Sequence, residues 1–108
     1  MDLFQLGWTG DNGDPDNFLA VLFDGLASKS IRTQWLNKEY HDLITAGKTT
    51  IDQNKRAEIY KKALKLMFDQ VPVIPIAHST VRWPALNNVM NFKLHPTGSV
   101  RMKNVWLK

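Results

Sequence analysis

Residues 7–18 have the sequence Gly-Trp-Thr-Gly-Asp-Asn-Gly-Asp-Pro-Asp-Asn-Phe and lie between a short apolar run and the first amphipathic segment. They contain three carboxylates, three glycines and one tryptophan, and no basic residue. Glycine adopts positive φ without steric cost, so a backbone rich in glycine can turn tightly or approach a ligand. A tryptophan beside several aspartates suits a ligand that has an apolar body and a cationic group. The alternative is a turn rich in Asp, Asn and Gly that leads into a helix.

The first helix is predicted to begin directly after this stretch. Asp14 is a favourable N-cap, and Pro15 stands at the first helical position, where an N–H group is not needed. Gly25 is expected near the end of the helix. Before the stretch, the apolar residues 3–6 are predicted to form a short buried strand, although four residues are too few for periodicity to prove it. The apolar positions that recur at helical spacing are Phe18, Leu19, Leu22, Phe23 and Leu26.

Two further helices follow a polar, irregular segment at residues 27–36. One is predicted over residues 37–46 and ended by Gly47, with Tyr40, Leu43 and Ile44 on one face. The next is predicted to start at a capping box formed by Thr50 and Gln53. It carries an apolar stripe opposite a lysine-rich face, and core packing is the ordinary role of such a stripe. The members of the stripe are Tyr60, Ala63, Leu64, Met67 and Phe68.

The last third of the chain is predicted to be extended. Residues 71–77 are β-branched and apolar, but two prolines remove donors from any ladder, so an edge strand or an irregular strand is expected. Residues 80–108 contain only short extended pieces, among them the closing run at residues 105–107. None of these pieces is long or periodic enough for an independent domain.

Composition is that of an ordinary globular protein, with 44% hydrophobic and 22% charged residues in a chain of 108. No apolar run reaches the roughly 18 residues that span a bilayer. Met1 is followed at once by Asp2, so no signal peptide is expected at this end; a longer parent would carry one far upstream. The absence of cysteine excludes disulfides, thiol catalysis and cysteine-ligated metals.

Charge is distributed unevenly along the sequence. Residues 1–28 hold five aspartates and no basic residue, whereas residues 29–108 hold all fourteen basic residues and five acidic ones. Such a balance permits binding to nucleic acid or to an anionic membrane. A solvated helix face is the alternative interpretation, because no aromatic residues interleave the lysines. The basic residues that mostly decorate the third helix are Lys48, Lys55, Arg56, Lys61, Lys62 and Lys65.

Catalysis, resident metals and phosphate binding are not expected. His41, His78 and His95 lie far apart and match no metal-ligand spacing, and no Gly-x-Ser-x-Gly motif is present. The chain is therefore predicted to be neither an enzyme nor a protein that carries a cofactor. The glycine-rich stretch lacks the lysine of a P-loop, and its three aspartates would repel phosphate.

Calcium is the cation that the acidic stretch would suit best. Asp11, Asn12, Asp14 and Asp16 offer hard oxygen ligands within one loop. The EF-hand pattern nevertheless fails, since Gly13 and Pro15 occupy the third and fifth positions and the bidentate glutamate is missing. No dedicated metal site is predicted.

Four stretches, in order, resemble the extracytoplasmic solute-binding proteins of dipeptide and oligopeptide ABC importers, and the dipeptide-binding branch above all. The first is residues 7–18 quoted above. The others are Asn-Lys-Arg-Ala-Glu-Ile-Tyr at 54–60, Asp-Gln-Val-Pro-Val-Ile-Pro-Ile at 69–76 and Ala-His-Ser-Thr-Val at 77–81. Members of that family have several hundred residues. The resemblance thus implies that this chain is a C-terminal piece of such a protein.

The resemblance implies an α/β fold, namely the C-terminal part of a two-lobed periplasmic-binding-protein fold. Residues 1–80 would belong to the second lobe, and residues 81–108 would form a tail that returns to the first lobe. The implied function is capture of a dipeptide or a related peptide-like solute outside the cytoplasm. The implied partners are the membrane subunits of the importer and the remainder of the parent chain. An independent basic module that binds nucleic acid or anionic membrane is the alternative.

Ligand-binding roles are implied for Trp8, Gly10 and Asp11. In the family an aspartate shortly after the Gly-Trp pair binds the ligand ammonium, and it falls on Asp11; the tryptophan that lines the pocket falls on Trp8. Asp14 would then cap the helix and Asp16 would face solvent. The residue that meets the ligand carboxylate would lie earlier in the parent chain. Dipeptide-binding relatives often carry a cysteine pair where this chain has Gly25 and Leu36, so this loop is not cross-linked.

Overall fold

The computed structural model describes residues 4–27 and 33–108, which form three α-helices and a two-stranded sheet. Most of the segment predicted to be irregular, residues 28–32, lies outside the described residues. The chain divides into two compact units. We call Asp14–Pro75 the helical unit, and Met1–Gly13 with Ile76–Lys108 the strand unit. The elements are α1 (Pro15–Phe23), α2 (Lys38–Thr49), α3 (Gln53–Gln70), β1 (Val89–Met90) and β2 (Trp106–Leu107).

Helix α1 begins as the sequence predicts, with Asp14 as N-cap and Pro15 in the first turn. The Asp14 carboxylate accepts a hydrogen bond from the Asp16 N–H at 2.9 Å. The prediction that Leu26 lies on this helix is wrong, because α1 ends at Phe23 and Leu26 is exposed. The cause is the buried Asp24, whose carboxylate accepts bonds from the N–H groups of residues 26 and 27 and so closes a turn.

Helix α2 begins at Lys38, one residue later than predicted, with Asn37 as its N-cap, and it continues past Gly47 to Thr49. The prediction that Gly47 ends the helix is therefore wrong. Gly47 is buried, and a Cβ atom there would lie 2.8 Å from two ring carbons of Tyr60. This glycine stands inside the helix because it lets the Tyr60 ring approach the α2 backbone.

Helix α3 is capped by Asp52, whose carboxylate accepts a bond from the Lys55 N–H at 2.9 Å. The predicted capping box is wrong, because Thr50 is occupied as the C-cap of α2, where its N–H and hydroxyl both donate to the Ala46 carbonyl. Only three residues connect the two helices, so they lie antiparallel and share an interface.

The core of the helical unit lies among all three helices. Its buried apolar residues are Leu19, Ala20, Tyr40, Ile44, Tyr60 and Ala63. The Tyr40 hydroxyl donates to the Leu19 carbonyl at 3.0 Å, which joins α2 to α1. The predicted α3 stripe is correct for Tyr60, Ala63 and the half-buried Met67, but wrong for Leu64 and Phe68, which are 44% and 81% exposed. The neighbouring helices thus cover only part of the apolar face of α3 that the sequence pattern predicts.

The end of α3 is marked by an unusual backbone conformation. Val71 is its C-cap, with φ 48° and ψ 50° in the left-handed region, and its N–H donates to the Met67 carbonyl at 2.9 Å. Residues 71–77 form no strand. The predicted extended run is thus irregular, and Pro72 and Pro75 supply no N–H groups for pairing.

The strand unit contains the small antiparallel sheet. Val89 pairs with Leu107 and Met90 with Trp106, and the predicted extended run at residues 105–107 is confirmed in β2. The rings of Trp83 and Phe92 lie 6.3 Å apart between centroids. The predicted buried strand at residues 3–6 is wrong for its described part, residues 4–6. That part is exposed and outside any ladder of the described chain.

Candidate functional site

The stretch that the sequence singles out as ligand-binding has no regular secondary structure between residues 7 and 13, which we call the ligand loop. Trp8 and Gly10 are half-buried, and Asp11 is exposed. Gly13 has φ +74°, a left-handed conformation that an L side chain would strain. The loop therefore presents one accessible carboxylate and one partly covered indole ring, and it ends in a turn that glycine makes possible.

Directly after the loop, Asp14 has a role that the sequence analysis did not find. Arg56 of α3 donates from Nη2 to both carboxylate oxygens of Asp14, at 2.7 and 2.8 Å. The same carboxylate also accepts the cap bond from Asp16. The hydrogen bonds from Arg56 and from the Asp16 N–H hold the pKa of Asp14 below its usual range, and the bond to Asp14 raises the pKa of Arg56.

Arg56 is itself held by two further partners in the helical unit. Its Nε donates to the Gly47 carbonyl at 2.9 Å, and Nη2 lies 3.2 Å from the Tyr60 hydroxyl. The guanidinium carbon lies 5.0 Å from the centre of the Tyr60 ring, within range of a cation–π interaction. One side chain thus joins the start of α1, the last turn of α2 and the middle of α3. Sequence spacing indicates only the Arg56–Tyr60 neighbourhood, since partners 42 residues apart leave no local signal.

Asp16 differs from the prediction that it faces solvent. Its side chain is half-buried, and Lys48 Nζ lies 3.4 Å from its Oδ1 atom. The described residues contain no group of three or more acidic, histidine or cysteine side chains that could hold a metal ion. In the acidic stretch, Asp14 is occupied by Arg56 and Asp16 by Lys48, so these two carboxylates serve the helical unit.

A buried carboxylate lies at the other end of α1. Asp24 is 3% exposed, and His41 Nδ1 of α2 lies 3.0 Å from each of its oxygens. Because the same carboxylate closes the turn after α1, this pair fixes the end of that helix against α2. The contact explains a histidine that matches no catalytic pattern in the sequence.

The basic face of the helical unit is largely paired with acidic groups. Lys61 lies 2.6 Å from Glu58 and Lys65 lies 2.9 Å from Asp69, both on α3. Together with the pairs that involve Arg56 and Lys48, four of the six basic residues named in the sequence analysis have acidic partners. A face with so many internal ion pairs does not favour recognition of phosphates by these side chains.

Gly25 and Leu36, which the sequence analysis compares with a cysteine pair, are neighbours in this chain. A Cβ atom built on Gly25 would lie 3.0 Å from Leu36 Cδ2 and 2.7 Å from the Trp35 carbonyl oxygen. Packing brings the two segments together here without a covalent bond.

Within the described chain, no helix is long and apolar enough to cross a bilayer.

Comparison with known proteins gives consistent relatives, although no family model matches the chain. The chain is 47% identical over 103 residues to the dipeptide-binding protein of Escherichia coli (strain K12). This match covers 94% of the chain and 19% of that protein. The chain is also 36% identical over 104 residues to the oligopeptide-binding protein OppA of Bacillus subtilis (strain 168). That match covers 96% of the chain and 19% of OppA.

A solved structure agrees with the sequence comparison. The dipeptide-binding protein from Pseudoalteromonas sp. SM9913, crystallised in complex with Met-Leu, matches with a TM-score of 0.75 and 32% identity over 95% of this chain and 21% of that one. The chain spans about a fifth of the length of these relatives. The resemblance predicted from the four sequence stretches is confirmed, and so is the predicted α/β fold as a segment of that larger fold.

Proposed function

Because this chain is homologous over nearly all its length to one segment of the dipeptide- and oligopeptide-binding proteins, we propose that it acts as part of a substrate-binding component of an ABC importer. The observation that carries the proposal is the 47% identity to a dipeptide-binding protein across 94% of the chain. The proposed substrate is a dipeptide or a related small peptide-like solute, captured outside the cytoplasm without catalysis. The proposed partners are the membrane subunits of the importer and the remainder of the parent chain.

Asp11 is the residue that would pair with the ligand amine. Its carboxylate is accessible, and an ammonium group would form charge-assisted hydrogen bonds with it. The half-buried Trp8 would cover an apolar side of the ligand, and Gly10 would let the backbone approach it. These roles rest on the residue types of the ligand loop and on the family resemblance of the stretch that contains it.

The exposure of Asp11 determines what else the site requires. An ion pair in contact with water contributes only about 0 to 1 kcal/mol, too little for tight capture. Asp11 can therefore bind an amine strongly only if the ligand and further residues exclude water from the carboxylate. The proposal assigns that cover, and the basic group that meets the ligand carboxylate, to other parts of the parent chain.

The test is calorimetry with the full-length parent protein and the dipeptide Met-Leu, the ligand of the related crystal structure. Asp11→Asn keeps the side-chain shape but removes the charge. Loss of one partner from a buried charged pair costs about 2 to 5 kcal/mol, or about a thirty- to several-thousandfold loss of affinity. Asp52→Asn is the matched control, since Asn caps α3 about as well as Asp and Asp52 is not among the proposed ligand-binding residues.

An N-acetylated dipeptide identifies the partner of Asp11. It should bind the wild-type protein poorly and lose little more on Asp11→Asn, because both changes remove the same interaction. Additive losses would show that Asp11 does not hold the amine. A wild-type parent protein that binds no small peptide would contradict the proposed function as a whole.

A further inference from the structure

Two glycines of the chain follow a residue whose side chain can close a ring onto the glycine nitrogen. Asn12 precedes Gly13, and Asp24 precedes Gly25. In such a pair the backbone nitrogen of the glycine can attack the side-chain carbonyl carbon of the residue before it, and glycine has no Cβ atom to hinder the approach. The product is a cyclic imide, a succinimide. Because the attack is intramolecular, local geometry decides how readily it occurs.

The Asp24–Gly25 pair is held in a conformation that opposes ring closure. Asp24 is 3% exposed, and its carboxylate accepts bonds from the N–H groups of residues 26 and 27. The nitrogen of Gly25 donates to the Phe23 carbonyl at 3.1 Å. A Cβ atom at residue 25 would lie 2.7 Å from the Trp35 carbonyl oxygen, so the backbone around this glycine is closely packed. Both reacting groups are thus occupied by other contacts.

The Asn12–Gly13 pair has the opposite surroundings. Both residues are exposed and lie on irregular backbone, outside the helices and strands of the described chain. Gly13 has φ +74°, and a Cβ atom there would meet nothing within 4 Å, so the space beside it is open. Ring closure at this pair therefore displaces no buried side chain.

The other asparagines of the chain are followed by residues that have side chains, and Asn54 shows what regular structure adds. Asn54 is also exposed, but it lies in the first turn of α3. The nitrogen that would attack it belongs to Lys55 and donates to the Asp52 carboxylate at 2.9 Å. Exposure alone thus does not single out Asn12. The combination of exposure, a following glycine and an irregular backbone does.

From these observations we infer that Asn12 is a site of spontaneous deamidation in the folded protein, with water as the co-reactant. Water or hydroxide removes the Gly13 amide proton, and the nitrogen forms a bond to Cγ of Asn12. The bond from Cγ to the side-chain nitrogen breaks, and this nitrogen takes up a proton and leaves as ammonia. Water then opens the ring. Cleavage of the new bond gives aspartate, cleavage of the original main-chain bond gives isoaspartate, and neither route involves oxidation or reduction.

The reaction changes the ligand loop chemically. Asp11 is the one charged residue among residues 7–13, so either product changes the formal charge of the loop from −1 to −2. Isoaspartate also lengthens the main chain by one methylene group directly before Gly13. The inference does not rest on the proposed function, because the chemistry requires only Asn12, Gly13 and water.

The test is peptide mapping by liquid chromatography and tandem mass spectrometry on the folded full-length parent protein, incubated at mildly alkaline pH. A sample in denaturant runs in parallel until half of its Asn12 has reacted. At residue 12 of the folded protein we expect the mass change of NH2 to OH in two separable products, at a rate that rises with hydroxide concentration. This rate should lie within about threefold of the rate in denaturant, because exposed loops open at little cost. Isoaspartate at Asp24 should form at least about tenfold more slowly in the folded protein than in denaturant, because the buried turn must first open.

Two variants isolate the chemistry at this pair. Asn12→Gln keeps a neutral amide but would have to close a larger ring, so the products at residue 12 should disappear. Gly13→Ala places a Cβ atom beside the attacking nitrogen and should slow the reaction at Asn12. Gly98→Ala is its matched control, because Gly98 also has φ +74° and open space around it but follows a threonine. This control should deaminate Asn12 at the wild-type rate.

Three results would overturn the inference. The first is an intact Asn12 in the folded protein when the denatured sample has reacted. The second is reaction of Asn54 as fast as that of Asn12 in the folded protein. The third is an equal rate at Asn12 in Gly13→Ala and in the wild-type protein.

Discussion

Substitution of Gly47 by alanine tests the close packing of α2 on α3. In an exposed helix this change gains at most about 1 kcal/mol from helix propensity. At residue 47, however, the new methyl group would lie 2.8 Å from Tyr60 Cε1 and Cζ and 3.1 Å from its hydroxyl oxygen. Carbon atoms do not approach so closely, so either the ring or the helix must move.

The ring has little room to move. Tyr60 is 5% exposed, and its hydroxyl and face both contact Arg56. Inserting a methylene-sized group into a well-packed core costs about 1 to 3 kcal/mol. After subtraction of the propensity gain, we expect Gly47→Ala to destabilise the helical unit by about 0 to 2 kcal/mol. The expected sign is opposite to that of an ordinary glycine-to-alanine change in a helix.

The assay is amide hydrogen exchange in α2 and α3 of the whole protein, which reports the free energy of local opening. The control is the same substitution in a Tyr60→Ala background, where the clash is removed and Gly47→Ala should become stabilising by up to about 1 kcal/mol. A stabilising effect in the wild-type background, or the same effect in both backgrounds, would refute the packing argument.

Two further predictions concern hydrogen bonds in the helical unit. Tyr40→Phe removes the buried bond from the Tyr40 hydroxyl to the Leu19 carbonyl, so we expect a loss of about 0.5 to 1.5 kcal/mol in chemical denaturation; an unchanged midpoint would contradict it. Because the bond from Arg56 lowers the pKa of Asp14 in the folded state, the pair stabilises the protein above the ordinary aspartate pKa of about 3.9, and this stabilisation is lost as the pH falls through the lowered value. Melting temperatures between pH 6 and pH 2 should therefore fall more steeply for the wild-type protein than for Asp14→Asn, and parallel curves would exclude this contribution.

Local signals in the sequence predicted the starts of two helices well. The side chains of Asp14 and Asn37 accept bonds from N–H groups within a few positions, so the pattern contains the whole interaction, and Pro15 brings no N–H that would need a partner. The same logic failed at Thr50, where two helix ends compete for one segment and the threonine caps the preceding helix. A capping residue between two helices predicts a helix boundary, but it does not show whether it caps the preceding helix or the following one.

Signals that depend on tertiary packing were not predictable in the same way. Glycine is a residue type that commonly ends helices. Gly47 lies inside α2 instead, and the Tyr60 ring of the neighbouring helix explains why. The Arg56–Asp14 bond spans 42 residues, so no spacing rule indicates it. Phe68 follows the helical apolar period and is nevertheless exposed, because periodicity identifies a face and the neighbouring helices decide how much of it is covered.

The candidate site was predictable in its residue types and remains a prediction in its roles. Trp8, Gly10 and Asp11 stand in one short loop, as the sequence requires, and the described chain leaves Asp11 accessible. An accessible carboxylate has no chemical preference strong enough to identify one ligand. Residues 7–13 alone therefore do not specify which ligand would be bound.

The left-handed Val71 and the proline that follows it mark where α3 ends. A β-branched residue in this conformation is disfavoured by about 1 to 2 kcal/mol, and here the bond from its N–H to the Met67 carbonyl accompanies it. Pro72 explains why the right-handed helix does not continue through residue 71, because its ring disfavours that geometry in the preceding residue and it has no N–H to extend the ladder. The C-terminal end of α3 thus coincides with a local backbone feature at residues 71 and 72. Residue 71 therefore ends a helix that packs against α2 and precedes a segment without regular secondary structure.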